Sequence, residues 1–193
     1  AHRTIPKSKM FSESKKTSVH QVHSLLGCKT IGFDDERRRA MVLMNNVLGG
    51  PALNSRLNLN IRERFGYCYY IESSYAPYAD TGVFQIYFGT DKRHEKKVAK
   101  LIVKELKSLT DVTLSERLLS VAKKQLLGQI ALSQENRASL MLSLGKALLQ
   151  FDRVDRFEEI QAQVHDITSA EIQELAAETF DQQYLATLSY IPE

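Results

Sequence analysis

The fold is decided by two stretches of sequence, Tyr67-Cys-Tyr-Tyr-Ile-Glu-Ser-Ser-Tyr75 and Gly82-Val-Phe-Gln-Ile-Tyr-Phe-Gly-Thr90. Both are rich in aromatic and β-branched residues and follow a period of two, which is typical of β-strands. Between them, Pro77 and the run Ala79-Asp-Thr-Gly82 supply residues that favour turns. The sequence therefore predicts a β-hairpin.

Upstream of the hairpin, the sequence predicts one strand and two helices. Residues 17–33 are apolar and β-prone, and we expect one long strand there. An acidic start at residues 34–36 precedes a helical pattern that Gly49-Gly50-Pro51 ends. A second short helix is expected over residues 52–63, where Leu53, Leu57 and Ile61 are spaced by four.

Downstream, the pattern is almost entirely helical. Helices are expected over residues 92–109, 135–151 and 156–165, and a last strand over 184–190. Thr113-Leu-Ser-Glu116 and Thr168-Ser-Ala-Glu171 are typical capping boxes, and each predicts the start of a further helix. This order predicts an α+β fold, a mainly antiparallel sheet with helices packed on one face. Residues 1–15 are expected to form a linker or lead-in, and residues 16–193 a single domain.

Composition excludes several classes of function. The 193 residues carry a net charge of +3, which is too small to indicate a nucleic-acid partner. No apolar run approaches the roughly 20 residues of a membrane span. The chain begins without Met, and we expect a piece of a longer protein whose localisation cannot be read here. Cys28 and Cys68 lie in apolar runs and are expected to be free core thiols.

The sequence contains none of the common catalytic or zinc-binding motifs. The five histidines form neither His-Glu-x-x-His nor the inverted His-x-x-Glu-His. His20 and His23 lie in the predicted strand, where an offset of three directs side chains to opposite faces. No Gly-x-Ser-x-Gly elbow is present, and neither cysteine has a neighbouring His. We therefore expect no metal ligand and no catalytic residue in this segment.

One stretch stands out chemically, Arg62-Glu-Arg-Phe-Gly-Tyr-Cys-Tyr69. It places an Arg at the end of a helix, a Gly that permits a tight turn, and a Tyr-rich strand directly after it. Guanidinium and phenol groups both donate hydrogen bonds to carbonyls and carboxylates. The two side chains either point into one cleft or serve as a helix-end charge and a packed aromatic ring.

These motifs resemble a known family. Leu48-Gly-Gly-Pro-Ala-Leu-Asn-Ser-Arg56-Leu is similar to the Gly-Gly and Ser-Arg-Leu signature in the second half of pitrilysin/insulinase-type zinc metallopeptidases. Residues 61–69, the hairpin from Asp80 to Thr90 and the helix over residues 114–132 resemble the elements that follow in that half. The resemblance extends from about Val19 to Tyr190.

The resemblance implies a function. Two similar α+β halves close around an unfolded peptide, and one half carries zinc on His-x-x-Glu-His. The other half holds the substrate near that zinc with an Arg and a Tyr seven residues later, which correspond here to Arg62 and Tyr69. This segment would then be the substrate-binding half of a zinc metalloendopeptidase, inactive alone, with the zinc in a complementary half or a separate subunit. The hairpin edge beside Tyr75 is a further candidate for pairing with a substrate strand.

Two alternatives remain open from the sequence. The chain is a non-catalytic partner or structural subunit of such a peptidase, or it is a peptide-binding module without proteolysis. Burial of Arg62 and Tyr69 away from any cleft would favour an interaction domain that is unrelated to proteolysis.

Overall fold

One five-stranded sheet, with helices packed on it, organises the chain. The structure is a computed structural model and describes residues 10–181 and 185–193. Its elements are β1 (Ser12–Thr17), β2 (Val22–Thr30), α1 (Arg38–Gly49), a π-helix (Asn58–Glu63), β3 (Cys68–Pro77), β4 (Gly82–Thr90), α2 (Glu95–Asp111), α3 (Glu116–Ser133), α4 (Arg137–Phe151), α5 (Phe157–Asp166), α6 (Ser169–Thr179) and β5 (Ala186–Pro192).

The sheet has the strand order β1-β5-β2-β4-β3. Only β1 and β5 run parallel, and the other three neighbouring pairs are antiparallel. The hairpin forms as the sequence predicts, with Pro77 paired to Gly82 across the turn. The predicted fold class, α+β with a mainly antiparallel sheet, is confirmed.

The core lies between the sheet and the helices. Along β2, alternate side chains from Val22 to Cys28 are buried, as the two-residue period of a strand requires. On the neighbouring strand, Phe84 and Phe88 are buried, and the Phe84 ring meets the Phe180 ring edge-on at 5.0 Å. Burial of each such side chain contributes about 1.5–3 kcal/mol. Helix α1 packs on β3 and α6 packs on β2, so these helices share one face of the sheet.

Gly49 allows α1 to pack closely on the sheet. A Cβ atom at this position would lie 2.6 Å from the backbone nitrogen of Ser73 in β3. The helix ends there, as the Gly49-Gly50-Pro51 run predicts, because the Gly50 backbone is extended. Arg56, the second part of the same signature, pairs with Glu105 of α2 at 3.0 Å. These signature residues are therefore structural.

Three sequence predictions are corrected at the element level. Residues 12–15, expected in the lead-in, belong to β1, while residues 1–9 lie outside the described part of the chain. The side chains of β1 are exposed, so backbone pairing with β5 forms this strand without the apolar pattern that would reveal it. The strand expected over residues 17–33 is limited to Val22–Thr30, and His20 precedes it.

The helix expected over residues 52–63 is the second difference. Helical backbone extends over residues 56–65 and takes the π form over Asn58–Glu63, where the Arg64 backbone N–H donates to the Leu59 carbonyl five residues earlier. Buried Asn58 donates its side-chain N–H to the Ser55 hydroxyl at 2.8 Å, and Asn60 donates to Glu105 at 3.0 Å. Both bonds join two side chains, so they hold this helix to its surroundings without replacing a backbone hydrogen bond.

The third difference concerns helix starts. Ser115, rather than Thr113, caps α3 and accepts a hydrogen bond from the Leu118 backbone at 3.4 Å. Thr168 caps α6 as predicted, and its hydroxyl accepts from the Glu171 backbone at 3.1 Å.

None of the helices in residues 10–181 has the length and apolar content that crossing a membrane requires. Cys28 and Cys68 are both buried free thiols, as the sequence predicts.

Candidate functional site

Arg62 lies in the last turn of the π-helix. Its guanidinium donates two hydrogen bonds to one carboxylate oxygen of Glu63, at 3.1 Å from Nε and 2.6 Å from Nη2. The side chain is 27% exposed, so it is neither buried nor fully in solvent. Burial raises the pKa of the Cys68 thiol to about 11, and the positive charge of Arg62 opposes part of that rise. Arg62 therefore lies close to the start of β3.

Gly66 reverses the chain between the π-helix and β3. Its φ of +62° falls in the left-handed region, which a residue with a Cβ enters at a cost. The Gly66 N–H donates to the Arg62 carbonyl at 2.9 Å and closes the turn. This turn brings the strand back toward the residues that end the helix.

Tyr69 projects from an irregularity at the start of β3. Cys68 pairs with Thr90 and Tyr70 pairs with Gly89, so Tyr69 is the extra residue of a bulge. Its side chain is 62% exposed, and its hydroxyl donates to the Asp91 carboxylate at 2.9 Å. That hydrogen bond raises the pKa of the Tyr69 phenol, so the hydroxyl stays protonated and able to donate.

Arg62 and Tyr69 lie on either side of the turn at Gly66, and their side chains share no hydrogen bond. Each side chain bonds to its own carboxylate, Glu63 for Arg62 and Asp91 for Tyr69. Neither side chain is buried, so their burial does not favour an interaction domain that is unrelated to proteolysis. A nearby cavity of about 430 Å³ is lined by Arg56 and Asn60 of the preceding segment and not by Arg62 or Tyr69.

Three rings stack beside this turn. The Phe65 and Tyr67 rings are 5.3 Å apart and within 15° of parallel, and the Tyr67 and His94 rings are 4.5 Å apart and within 17°. Arg64 lies 5.4 Å from the Phe65 ring centre and Lys97 lies 5.6 Å from that of Tyr67. We call Phe65, Tyr67 and His94 the aromatic stack.

A polar cluster that sequence reasoning missed lies on the sheet face opposite the core. His23 Nδ1 and the Tyr87 hydroxyl are 2.6 Å apart. The Tyr87 ring lies 5.8 Å from the Tyr70 ring, and the Tyr70 hydroxyl donates to Glu72. Its signal in the sequence is the alternation of polar or aromatic residues with buried apolar ones along β3 and β4, where Tyr70 and Glu72 flank Ile71 and Tyr87 lies between Ile86 and Phe88.

No candidate zinc site is found in the part of the chain that the structure describes. Its residues hold no group of three His, Cys, Asp or Glu side chains close enough to share a metal ion. Burial raises the pKa of the Cys28 thiol to about 12, which disfavours the thiolate that metals bind. The residues present do not fit a zinc ion.

The fold, together with a sequence that lacks both histidine motifs for zinc, agrees with a half-domain of the metallopeptidase type that does not itself hold the zinc. The family described as the peptidase M16 inactive domain matches residues 3–126, and the chain belongs to this family. The resemblance to the second half of pitrilysin/insulinase-type peptidases is thereby confirmed.

Curated relatives carry names that agree with this family. The chain is 29% identical over 175 residues to the uncharacterized zinc protease YmxG of Bacillus subtilis, covering 91% of this chain and 42% of YmxG. It is 30% identical over 173 residues to an uncharacterized zinc protease of Mycobacterium leprae, covering 90% of this chain and 39% of that protein. The chain thus spans about two fifths of the length of these relatives.

Solved structures share the fold. A peptidase M16 inactive domain from Pseudomonas fluorescens superposes with a TM-score of 0.85 at 22% identity, over 96% of this chain and 44% of that one. A protease from Helicobacter pylori superposes with a TM-score of 0.86 at 19% identity, over 97% of this chain and 46% of that one.

Proposed function

We propose that this chain is the substrate-binding half of a zinc-dependent peptidase and that Arg62 and Tyr69 hold an extended peptide against the zinc site of a complementary half. The observation that carries the proposal is the arrangement at Gly66, where one turn presents a partly exposed guanidinium and an exposed phenol. The zinc would activate water and polarise the scissile carbonyl from the other half. This chain would supply hydrogen-bond donors.

The two donors suit a peptide backbone. The Tyr69 hydroxyl donates a hydrogen bond to the Asp91 carboxylate, which raises the pKa of the phenol and fixes the direction of the ring. Arg62 offers its remaining N–H groups while Glu63 holds one edge of the guanidinium. The free N–H groups of Arg62 are in place before substrate arrives and can stabilise developing oxyanion charge with little reorganisation, whereas the single O–H of Tyr69 must turn from Asp91 before it donates to the substrate. The π-helix at Arg62 supports the proposal, since such turns occur often at functional sites.

The backbone of β3 offers a second means of holding a peptide. β3 is the last strand of the sheet next to β4, so one side of its backbone has no strand neighbour in the described residues. An extended peptide can pair with such an edge. Tyr75 stiffens the far end of the edge, because its hydroxyl donates to the Ile31 carbonyl at 3.1 Å. A peptide paired along β3 would run past Tyr69.

The test measures hydrolysis of an internally quenched, unstructured peptide by this chain assembled with its zinc-bearing half. We expect Arg62→Ala and Tyr69→Phe to lower kcat/KM by about 100- to 1,000-fold each, the usual cost of losing a donor to the oxyanion. Arg117→Ala and Tyr78→Phe change exposed residues of the same types elsewhere and serve as controls. Unchanged turnover in both site variants, with the fold intact, would exclude the assigned roles.

The second candidate function is a partner subunit that binds peptide without taking part in hydrolysis. The observation that favours it is the absence of contact between Arg62 and Tyr69, each of which is already satisfied by a carboxylate. Fluorescence anisotropy with a labelled peptide separates the two functions. Binding that Arg62→Ala abolishes, in an assembly that never cleaves the peptide with zinc present, would favour the partner subunit.

A further inference from the structure

The aromatic stack carries two cations that have no acidic partner. Arg64 lies over Phe65 and Lys97 lies over Tyr67, and in residues 10–181 and 185–193 neither forms an ion pair. By contrast, the neighbouring Arg62 and Arg93 each pair with a carboxylate, at 2.6 Å and 3.7 Å. A cation attracted to a ring face still has N–H donors, which can bind an anionic ligand.

The charge of the surface around the stack is complementary to an anion. Residues 62–64 and 91–97 carry six cationic side chains against three acidic ones. One of those acids, Glu63, is bonded to Arg62, and another, Asp91, is bonded to Tyr69. Helix α2 begins at Glu95, directly after His94, so the partial positive charge of its first turn lies at the same place.

The stack lies against the same turn as Tyr69. Tyr69 bonds to Asp91 and Tyr67 stacks on His94, so each tyrosine contacts one end of the four-residue segment between β4 and α2. The Thr90 hydroxyl donates to the Tyr67 carbonyl and fixes the strand at this point. A peptide held at Arg62 and Tyr69 would therefore pass the cations of the stack.

We propose that this site selects peptides with an acidic residue, whose carboxylate binds Arg64 and Lys97 while its stem or an adjacent apolar side chain lies on Phe65. The inference rests on the proposed function, because it names the substrate class of that same site. Guanidinium and ammonium groups form strong, charge-assisted hydrogen bonds with a carboxylate. The 41% exposed Phe65 ring offers an apolar surface at the rim.

The test uses internally quenched peptides on one unstructured backbone, with Glu, Gln or Lys placed in turn at each position near the cleaved bond. The protein is the chain assembled with its zinc-bearing half, as wild type and as the double variant R64Q/K97Q. The control is R117Q/K124Q, which removes an exposed arginine and an exposed lysine of α3, a helix that carries no residue of the stack. The readout is the ratio of kcat/KM for the Glu peptide to that for the Gln peptide.

At one or two positions we expect the wild-type ratio to be about tenfold, the value of one charge-assisted hydrogen bond. The double variant lowers this ratio to near one, and the control variant leaves it unchanged. A ratio near one at every position in the wild type, or a ratio that survives in R64Q/K97Q, would overturn the inference. If the assembly binds a single-stranded oligonucleotide more tightly than it binds any of the Glu peptides, the proposal that the ligand of this site is a peptide is overturned.

The proposed function is tested separately within the same experiment. R62A lowers turnover of all the peptides alike if Arg62 holds the backbone, whereas R64Q/K97Q changes the ratio between peptides. If R62A lowers turnover while the wild-type ratio of kcat/KM for the Glu and Gln peptides is near one, the proposed function stands and the preference for acidic peptides is rejected. An assembly that neither binds nor cleaves any of these peptides would overturn both.

Discussion

Replacement of Gly66 by Ala tests whether the turn that carries Arg62 and Tyr69 depends on a left-handed backbone. Gly66 has φ +62°, and no heavy atom lies within 4 Å of the place where an added Cβ would stand. The substitution therefore changes the backbone energy and nothing in the packing. Gly128 in α3 is the matched control, because it also has open space around an added Cβ but lies in a regular helix.

The expected magnitudes follow from these geometries. A residue with a Cβ costs about 1–2 kcal/mol in the left-handed region. The reduced freedom of the unfolded chain offsets about 0.4–1 kcal/mol of this. We therefore expect Gly66→Ala to lower the free energy of unfolding by about 1 kcal/mol. Gly128→Ala should raise it by about 1 kcal/mol, since Ala is the better helix former.

Urea denaturation followed by circular dichroism measures both changes, provided that the slope of free energy against urea stays constant. Gly66→Asn should lose less than Gly66→Ala, because Asn enters the left-handed region more readily. A stability gain in Gly66→Ala, or equal effects at Gly66 and Gly128, would refute the argument. A loss above about 3 kcal/mol would also refute it, because backbone energy alone does not reach that value.

Two further predictions concern the core. Phe84→Ala should lower the free energy of unfolding by about 3–5 kcal/mol in the same denaturation assay, because the 2% exposed ring packs on Phe180. Val83→Ala, on the exposed side of the same strand, is the control. An equal loss of stability in Val83→Ala would contradict the assigned faces of the strand. The free energy of unfolding should also fall as pH rises from about 9 to about 12, because burial raises the pKa of Cys28 from 9.0, and that of Tyr75 from 10.0, to about 12 in the folded chain. Both groups ionise first in the unfolded state, so the folded state is fully stabilised below pH 9 and loses stability through this window; a flat stability profile measured over it would show that these groups are not buried.

Elements with local causes could be predicted from the sequence. The hairpin was predictable because its turn residues and its two-residue period act within about 25 residues of each other. The Thr168 cap and the helix end at Gly49 were predictable for the same reason. The fold class followed from the order of these elements, and the family followed from motifs spaced along the chain.

Elements with distant causes could not be predicted in the same way. β1 pairs Ser12 with Thr187 through backbone groups alone, and its side chains carry no apolar signal. The spacing of Leu53, Leu57 and Ile61 by four suits an α-helix and does not reveal the π-helix that forms over Asn58–Glu63. At the candidate site, the resemblance implied Arg62 and Tyr69 but not the carboxylate to which each of them bonds. The Tyr69 partner, Asp91, comes from the far end of the hairpin and depends on its register.

The parallel pairing of β1 with β5 has a mechanical consequence. Ser12 lies beside Thr187 and Thr17 lies beside Pro192, so the two strands enter and leave the sheet in the same direction. A force that pulls the chain at Ser12 and at Pro192 acts on opposite ends of this pair. It loads the hydrogen bonds between the two strands in shear, all together, instead of opening them one after another from an end. Tension transmitted through the chain at these points is therefore borne by the whole strand pair.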